Sequence, residues 1–244
     1  APYLANHSAM FGAALGLAGI ALQEETASAY LLDDALAMAD RIVDNLLHHQ
    51  FDPNGAYNEG VFYAAWTLKQ LVYYFDARER FDGRAYADNP QFEAIESWFA
   101  YELSPAGGGR SFNLNDSPML SAPMSQHPTF FNWAMSAWNS GMSSWLWQHT
   151  AGGLGTGMGG GTDWSGTILW YRSVPVTQPA SVLPTSRVWE QRGLYYYRSG
   201  WPSGASSNDV VFSFYSGKFQ GGHAQEDQNQ FALYGYGERF VIDH

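Results

Sequence analysis

Residues 221–244 read GGHAQEDQNQFALYGYGERFVIDH, and this stretch decides the fold of the C-terminal part of the chain. Apolar runs flank the Gly235-Tyr236-Gly237 turn, which is the pattern of a β-hairpin. His223 and the polar run 226–229 precede the hairpin, so we expect them on a loop or at a strand edge, where site residues often lie. A solvated turn without a function is the alternative interpretation of this polar run.

The strand pattern begins at Ser186 and continues through the runs RVWEQRGLYYYRSGW and DVVFSFYSGKF. Upstream, apolar residues recur at helical spacing and predict helices over residues 8–23, 27–50, 59–80, 90–103 and 128–149. The first of these helices carries small residues spaced for close helix contact, and we expect Asn6 or Ser8 to cap it. The glycine-rich residues 152–161 are expected to form a flexible loop.

Helices followed by strands, separated along the chain, predict an α+β fold with two domains. We place the boundary near residue 180, with a helical domain over residues 1–180 and the start of an antiparallel sheet domain over residues 181–244. Both ends of the chain interrupt predicted elements, so we expect it to be a fragment of a longer protein.

Composition limits the classes of function. With 12 Lys and Arg against 23 Asp and Glu, the formal net charge is −11, which argues against nucleic acid and anionic membranes as partners. The absence of cysteine excludes a disulfide framework and a thiol nucleophile. No apolar run reaches the roughly twenty residues of a membrane span without interruption by polar groups, and no signal peptide is visible. The heavy aromatic content suits stacking on sugar rings, although an aromatic-rich core explains most of these residues.

Three motifs occur in order over nearly the whole chain. The first two are Asn6-His7 at the head of an apolar helix and Glu59-Gly60-x-x-Tyr63 at the start of a later one. The third is the C-terminal stretch, with His223, Asp227, Phe231-x-Leu233-Tyr234, Gly237-Glu238 and a closing apolar run that ends at Asp243. Together they resemble the heparinase II/III family of polysaccharide lyases.

This resemblance implies an incomplete α/α toroid followed by an antiparallel β-sandwich, with the active site in the cleft between them. It also implies a lyase that acts on an acidic, uronic-acid-containing polysaccharide such as heparan sulfate, a chondroitin-type chain or alginate. Such an enzyme is expected to be periplasmic or secreted. Because only 12 Lys and Arg are present, we expect an unsulfated or lightly sulfated polymer rather than a densely sulfated one.

β-Elimination at a uronate needs a group that neutralises the sugar carboxylate, a base at C5 and an acid at O4. The resemblance assigns this chemistry to Asn6, His7, Tyr63 and His223. The amide of Asn6 can hydrogen-bond the carboxylate, His7 can be the base, and Tyr63 can protonate the leaving oxygen or act as base. His223 is expected on the sheet side of the cleft. The structural alternatives are a helix cap for Asn6, an ordinary helix-start histidine for His7 and a core position for Tyr63.

Glu59, Arg110, Gln126 and His127 are candidate substrate-binding residues, and Glu59 can instead orient a neighbour or cap its helix. The chemistry requires no cofactor. Relatives hold a structural zinc through a second histidine of the C-terminal motif, but this chain has Gln225 there, which is a poor zinc ligand. Asp243 matches the carboxylate ligand of the family, so a structural divalent metal stays an open expectation.

Two rival functions remain at this stage. The first is a glycoside hydrolase on an α/α toroid, with two carboxylates drawn from Asp33, Asp34, Asp116 and Asp163. The second is a non-catalytic polysaccharide-binding protein that keeps the fold. The joint presence of Asn6, His7, Tyr63 and His223 favours the lyase.

Overall fold

The computed structural model describes residues 5–24, 29–105, 110–112, 115, 128–150, 164–201, 208–217 and 228–241. Its helices are α1 Asn6–Ala21, α2 Ala29–Gln50, α3 Gly60–Asp82, α4 Gln91–Glu102, α5 Thr129–Trp138, α6 Gly141–Thr150, α7 Trp164–Trp170 and α8 Pro179–Val182, with a 3₁₀ turn at Tyr86–Asp88. Its strands are β1 Ser186–Trp189, β2 Leu194–Arg198, β3 Val211–Tyr215, β4 Gln230–Gly235 and β5 Glu238–Val241. Helices and then strands follow one another, which confirms the predicted α+β class.

Helix α1 packs closely on α2 and α3 because the face that it buries is made of glycine and alanine. A Cβ added at Gly16 would lie 2.1 Å from the Tyr74 ring of α3, and one at Gly12 would lie 3.0 Å from Ile42 of α2. The prediction that small residues in this helix permit close helix contact is therefore confirmed. The near approach of α1 to α3 brings the first residues of both helices to one end of the pair.

A buried carboxylate joins α2 to α3 and to the 3₁₀ turn. Asp40 accepts hydrogen bonds from Tyr74, from Tyr86 at 2.9 Å, from Arg78 at 2.9 Å and from Arg84 at 2.8 Å. Burial acts to raise the pKa of Asp40, but the hydrogen bonds from Tyr74 and Arg78 outweigh it and hold this pKa below its ordinary value. Asp40 is therefore ionised at neutral pH and fixes the packing of α2 on α3.

The single helix predicted over residues 128–149 is wrong, since two helices, α5 and α6, occupy this stretch. Asn139 adopts a left-handed conformation, with φ of 55°, and ends α5. Ser140 then caps the N-terminus of α6, because its Oγ accepts a hydrogen bond from the backbone N–H of Ser143 at 3.0 Å. Asparagine tolerates the left-handed region better than other non-glycine residues, so the break is encoded locally.

The five strands form one antiparallel sheet in the order β1-β2-β3-β4-β5. The β4–β5 connection is the predicted hairpin, and Tyr236 and Gly237 at its turn have φ of 53° and 80°. One face of the sheet is buried against the helices, whereas aromatic residues such as Tyr197 and Phe231 are exposed on the other face. The change from helix to strand falls between Val182 and Ser186; the domain boundary near residue 180 stays a prediction.

Polar contacts anchor the sheet on the helices. Arg198, fully buried in β2, donates to the carbonyls of Tyr101 at 3.1 Å and Leu103 at 2.8 Å, at the end of α4. Tyr196 of the same strand donates to Glu102 at 2.5 Å. These contacts fix β2 across the C-terminal end of α4.

A second set of contacts seats the β1–β2 turn on the loop that joins α2 to α3. The Trp189 indole donates to the carbonyl of Asn54 at 2.8 Å, and the Arg192 guanidinium donates to the carbonyl of Gln50 at 2.9 Å. This loop leads directly into Glu59. The sheet is thereby held beside the helix ends that carry the first two sequence motifs.

Candidate active site

The start of α1 is built differently from the prediction that Asn6 or Ser8 caps this helix, which is wrong. Ala5 occupies the N-cap and makes no side-chain capping bond, and Asn6 is the first helical residue. The backbone N–H of Asn6 donates instead to Oε2 of Glu59, at 2.8 Å. A carboxylate from a distant part of the chain therefore satisfies one of the amides that a helix start leaves open. A negative charge at a helix N-terminus stabilises the helix by about 0.3–1 kcal/mol at an exposed site. In a partly buried site the gain reaches about 2 kcal/mol.

The side chain of Asn6 is 2% exposed, yet its Nδ2 has no hydrogen-bond partner among the described residues. Leaving a buried polar group unpaired costs about 1–3 kcal/mol, so a partner that reaches this amide would be bound favourably. The alternative role of Asn6 as a helix cap is thus removed, and its amide is left with donor capacity at the end of α1.

Glu59 lies one residue before α3 and is 1% exposed. Its Oε2 accepts a second hydrogen bond, from the Tyr57 hydroxyl at 3.2 Å, and that hydroxyl accepts one from Thr67 at 3.1 Å. Burial, with a smaller contribution from the charge of Glu59, raises the pKa of Tyr57 well above its ordinary value. Tyr57 is therefore a permanent donor to Glu59 at any working pH.

The loop that delivers Glu59 is stabilised by its own side chains. Oδ1 of Asp52 accepts the backbone N–H groups of Asn54 at 2.8 Å and Ala56 at 3.1 Å, which closes a tight turn. Gly55 follows with φ of 92°. This turn separates α2 from α3.

His7 and Tyr63 lie at the same end of the helix pair and are more accessible than Asn6. His7 is exposed, and its ring meets Trp66 of α3 edge-on, with centroids 6.4 Å apart. Tyr63 is half-buried in the first turn of α3 and contacts Phe62, with centroids 5.2 Å apart. Since residues three apart share one side of a helix, Tyr63 and Trp66 face the same way. The structure thus brings together Asn6, His7, Glu59 and Tyr63.

The other predicted site residues are not placed there by the described part of the chain. Arg110 is exposed, and its carbonyl accepts the backbone N–H of Ser104 at 2.8 Å. Gln126, His127, His223 and Asp243 lie outside the described residues. Of the carboxylates considered for a hydrolase, Asp33 and Asp34 are exposed near the start of α2, while Asp116 and Asp163 lie outside the described residues.

Sequence reasoning missed the residues that support Glu59. Tyr57 and Thr67 carry no motif, and only their closeness to Glu59 in sequence could have drawn attention to them. It also missed Gln230, which lies on the buried face of β4 with neither amide atom paired among the described residues. Gln230 pairs across the sheet with Tyr215 and directly follows the C-terminal polar run.

A cavity of about 780 Å³ lies elsewhere, between the end of α2, the start of α4 and the β1–β2 turn. His48, His49, Phe51, Gln91 and Arg192 are among its lining residues, and none of the predicted site residues lines it. Within the described ranges no group of three or more His, Cys, Asp or Glu side chains could hold a metal ion. Because Gln225 and Asp243 lie outside those ranges, the metal expectation stays a prediction.

Comparison of the fold with solved structures gives clear matches at low sequence identity. Heparinase III superposes with a TM-score of 0.65 at 14% identity, over 95% of this chain and 33% of that one. The chain has a heparinase-type fold. Heparan sulfate lyase HepC from Pedobacter heparinus superposes with a TM-score of 0.57 at 15% identity, over 95% of this chain and 31% of that one. A HepC mutant from the same organism gives 0.55 at 14% identity, over 93% and 31%.

This heparinase-type fold confirms the expected arrangement of toroid helices followed by an antiparallel sheet. The chain spans about a third of the length of the solved structures that it matches. A scan with protein-family profiles and a search of curated proteins give no match. None of the helices in the described ranges is both long and apolar enough to span a membrane.

Proposed function

We propose that this protein is a polysaccharide lyase that cleaves an acidic, uronic-acid-containing polymer by β-elimination. The observation that carries the proposal is the buried Nδ2 of Asn6, which has no partner among the described residues and lies at the helix ends that also carry the accessible side chains of His7 and Tyr63. The heparinase-type fold supports it, since the solved neighbours are named as heparinase III and heparan sulfate lyase. An enzyme acting on such polymers is expected outside the cytoplasm, in the periplasm or the medium.

In the proposed reaction a base removes the proton at C5 of the uronate. The electron pair of that bond forms the C4=C5 double bond, the C4–O4 bond breaks, and the leaving oxygen takes up a proton. Asn6 donates a hydrogen bond to the sugar carboxylate, which lowers the energy of the charge that develops there. Tyr63, His7 and His223 are the candidates for the base at C5 and the acid at O4.

The basic residues favour a polymer with few sulfates. Arg78, Arg80 and Arg84 pair with aspartates of the helical layer. Arg192 and Arg198 are buried and donate to backbone carbonyls. These engaged arginines leave few cations for a densely sulfated chain, in which each sulfate needs a partner. Alginate and other unsulfated or lightly sulfated polyuronides therefore fit best.

The test is to incubate the full-length protein separately with alginate, hyaluronan, chondroitin sulfate and heparan sulfate. The C4=C5 double bond, conjugated with the carboxylate, absorbs in the ultraviolet, so absorbance reports elimination directly. We expect absorbance to rise with one polymer and the rate to fall about 10²–10⁴-fold in Tyr63→Phe, the range for loss of a general acid or base.

Tyr73→Phe is the matched control, because Tyr73 is another half-buried tyrosine of α3 and its hydroxyl bonds Ser165 at 2.5 Å. This variant should keep most of the activity. New reducing ends without ultraviolet absorbance would show that the protein is a hydrolase and not a lyase. Tight binding of a polymer without either product would indicate a binding protein.

A further inference from the structure

The carboxylate of Glu59 is bound on the protein side of the candidate site. Its Oε2 lies 2.8 Å from the backbone nitrogen of Asn6 and 3.2 Å from the Tyr57 hydroxyl. Asn6, Tyr57 and Glu59 are each at most 2% exposed. A buried carboxylate held in this way influences the site through Asn6, the residue whose backbone N–H it binds.

The contact joins two helices at a single point. Asn6 is the first residue of α1, and Glu59 is the residue before α3. The backbone of a first helical residue limits the rotamers that its side chain can adopt, and Nδ2 of Asn6 has no hydrogen-bond partner among the described residues that would hold it elsewhere. The bond to Glu59 therefore holds the backbone from which the Asn6 amide extends.

We propose that Glu59, held by Tyr57, is a positioning residue that fixes the amide of Asn6 for the sugar carboxylate. This role rests on the proposed lyase function. Thr67 donates to the Tyr57 hydroxyl at 3.1 Å, so this hydroxyl directs its own proton to Glu59. The chain Thr67, Tyr57, Glu59 and Asn6 thus runs from the interior of α3 to the site.

The first experiment needs no activity. Amide hydrogen exchange of Asn6 is followed in wild type, in Glu59→Gln and in Tyr57→Phe, of which Glu59→Gln keeps the size and an oxygen acceptor. We expect exchange at Asn6 to quicken about tenfold in Glu59→Gln and by less in Tyr57→Phe, because the N–H loses a charged acceptor. Unchanged exchange at Asn6 in Glu59→Gln would overturn the positioning role.

Asp52→Asn is the matched control. Asp52 is 1% exposed and accepts the N–H groups of Asn54 and Ala56 in the same loop, without a bond to Asn6. In this variant exchange should quicken at Ala56 and stay unchanged at Asn6. Faster exchange at Asn6 in both variants would show general loosening of the loop and would also overturn the proposal.

The second experiment is a kinetic double-mutant cycle on the polymer that wild type cleaves. We expect Glu59→Gln to lower kcat about tenfold with KM changed less than about twofold, and to change kcat less than about twofold in an Asn6→Ala background. Independent, multiplying losses would contradict action through Asn6. If wild type cleaves no polymer, the lyase function fails, whereas the exchange measurement still decides whether Glu59 fixes Asn6.

Discussion

At the scale of single residues, Gly55 decides whether the loop before Glu59 can form. It has φ of 92°, and a Cβ there would lie 2.3 Å from the carbonyl carbon of Ala94 in α4. Two separate penalties therefore act against any side chain, since the conformation is left-handed and the space is filled by backbone. The loop can approach α4 only because glycine occupies this position.

Gly55→Ala should destabilise the protein by more than about 3 kcal/mol, because the backbone of α4 must move away. Gly83 is the matched control, since it ends α3 with φ of 80° and a Cβ there would meet nothing within 4 Å. Gly83→Ala should cost only the left-handed strain, about 1–2 kcal/mol. Urea unfolding measures both losses, and equal losses would show that the contact with Ala94 is unimportant.

The sequence selects candidate site residues by motif but does not predict their contacts. Asn6, His7, Glu59 and Tyr63 could be selected by motif, and the structure places the start of α1, with Asn6 and His7, against the start of α3, which carries Glu59 and Tyr63. The bond from the Asn6 backbone to Glu59 spans 53 positions, and no periodicity encodes such a pairing. The helix cap expected of Asn6 failed for this reason, as a tertiary contact replaced the local one.

At the scale of elements, α4 and β2 share a buried carboxyl group. Glu102 is 2% exposed and accepts the Tyr196 hydroxyl, and its Oε2 has no partner among the described residues. Burial raises the pKa of Glu102 from 4.5 to about 8. The folded state therefore keeps a proton on Glu102 at pH 7, whereas the unfolded chain releases it.

This difference predicts that stability falls as the pH rises from about 4.5 to about 8, since over that range only the folded state holds the proton. Glu102→Gln, which is neutral at every pH, should remove this part of the dependence. The difference in free energy of unfolding between Glu102→Gln and wild type should shift in favour of the variant by about 2–4 kcal/mol when the pH is raised from 5 to 8.

Glu93→Gln is the control for this comparison, because Glu93 is exposed on the same helix. Urea unfolding of all three proteins at both pH values gives the answer. A Glu102→Gln variant whose difference from wild type is the same at pH 5 and pH 8 would mean that Glu102 is ionised in the folded state.

Element boundaries were predictable where turn-forming residues such as glycine mark them in the sequence, and were missed where no such residue does. The Gly235-Tyr236-Gly237 turn gave the β4–β5 hairpin, and the pattern from Ser186 gave the start of the sheet. The apolar period of residues 128–149 runs through Asn139 without interruption, so the break between α5 and α6 depends on the conformation of one asparagine. Helical periodicity does not report that conformation.

At the scale of the whole molecule, Arg192 connects the sheet to the helical layer at the end of α2. Its Nη2 donates to the carbonyls of Gln50 at 2.9 Å and His49 at 3.4 Å, and its Nε donates to Ala56 at 3.4 Å. Burial lowers the pKa of Arg192, although the charge of Asp52 opposes this effect. Hydrogen bonds to several carbonyls at the junction of the two layers thus offset the desolvation cost of the guanidinium.

Arg192→Met should lower the free energy of unfolding by about 1–3 kcal/mol, because carbonyls at the end of α2 lose a charged donor. Arg187→Met is the control, since Arg187 is half-buried in β1 and lies over the Trp189 ring at 5.2 Å. That variant should lose at most about 1 kcal/mol. Chemical unfolding compares them, and a larger loss in Arg187→Met would show that the junction does not depend on Arg192.

The order of helices and strands follows from the sequence, but the way the layers meet does not. The junction depends on two buried arginines, Arg192 in the β1–β2 turn and Arg198 at the end of β2, and Arg198 was indistinguishable from a surface residue in the sequence. Burial of a charge is costly unless acceptors lie close to it, and for Arg198 those acceptors are the backbone carbonyls of Tyr101 and Leu103 at the end of α4. Every residue has a backbone carbonyl, so the sequence does not indicate which carbonyls will accept these bonds.

The same property governs how the two layers can change over evolution. Arg192 and Arg198 bind backbone atoms, so a change of side chain at position 50, 101 or 103 does not by itself remove the acceptors of these bonds. Glu102 and Tyr196 bind through their side chains, so a change at one should be accompanied by a change at the other. In a set of descendants, the two arginines should therefore persist alone, whereas Glu102 and Tyr196 should co-vary. Chimeras that exchange helical layers between distant relatives should tolerate the exchange wherever both arginines are retained and this one pair is moved together.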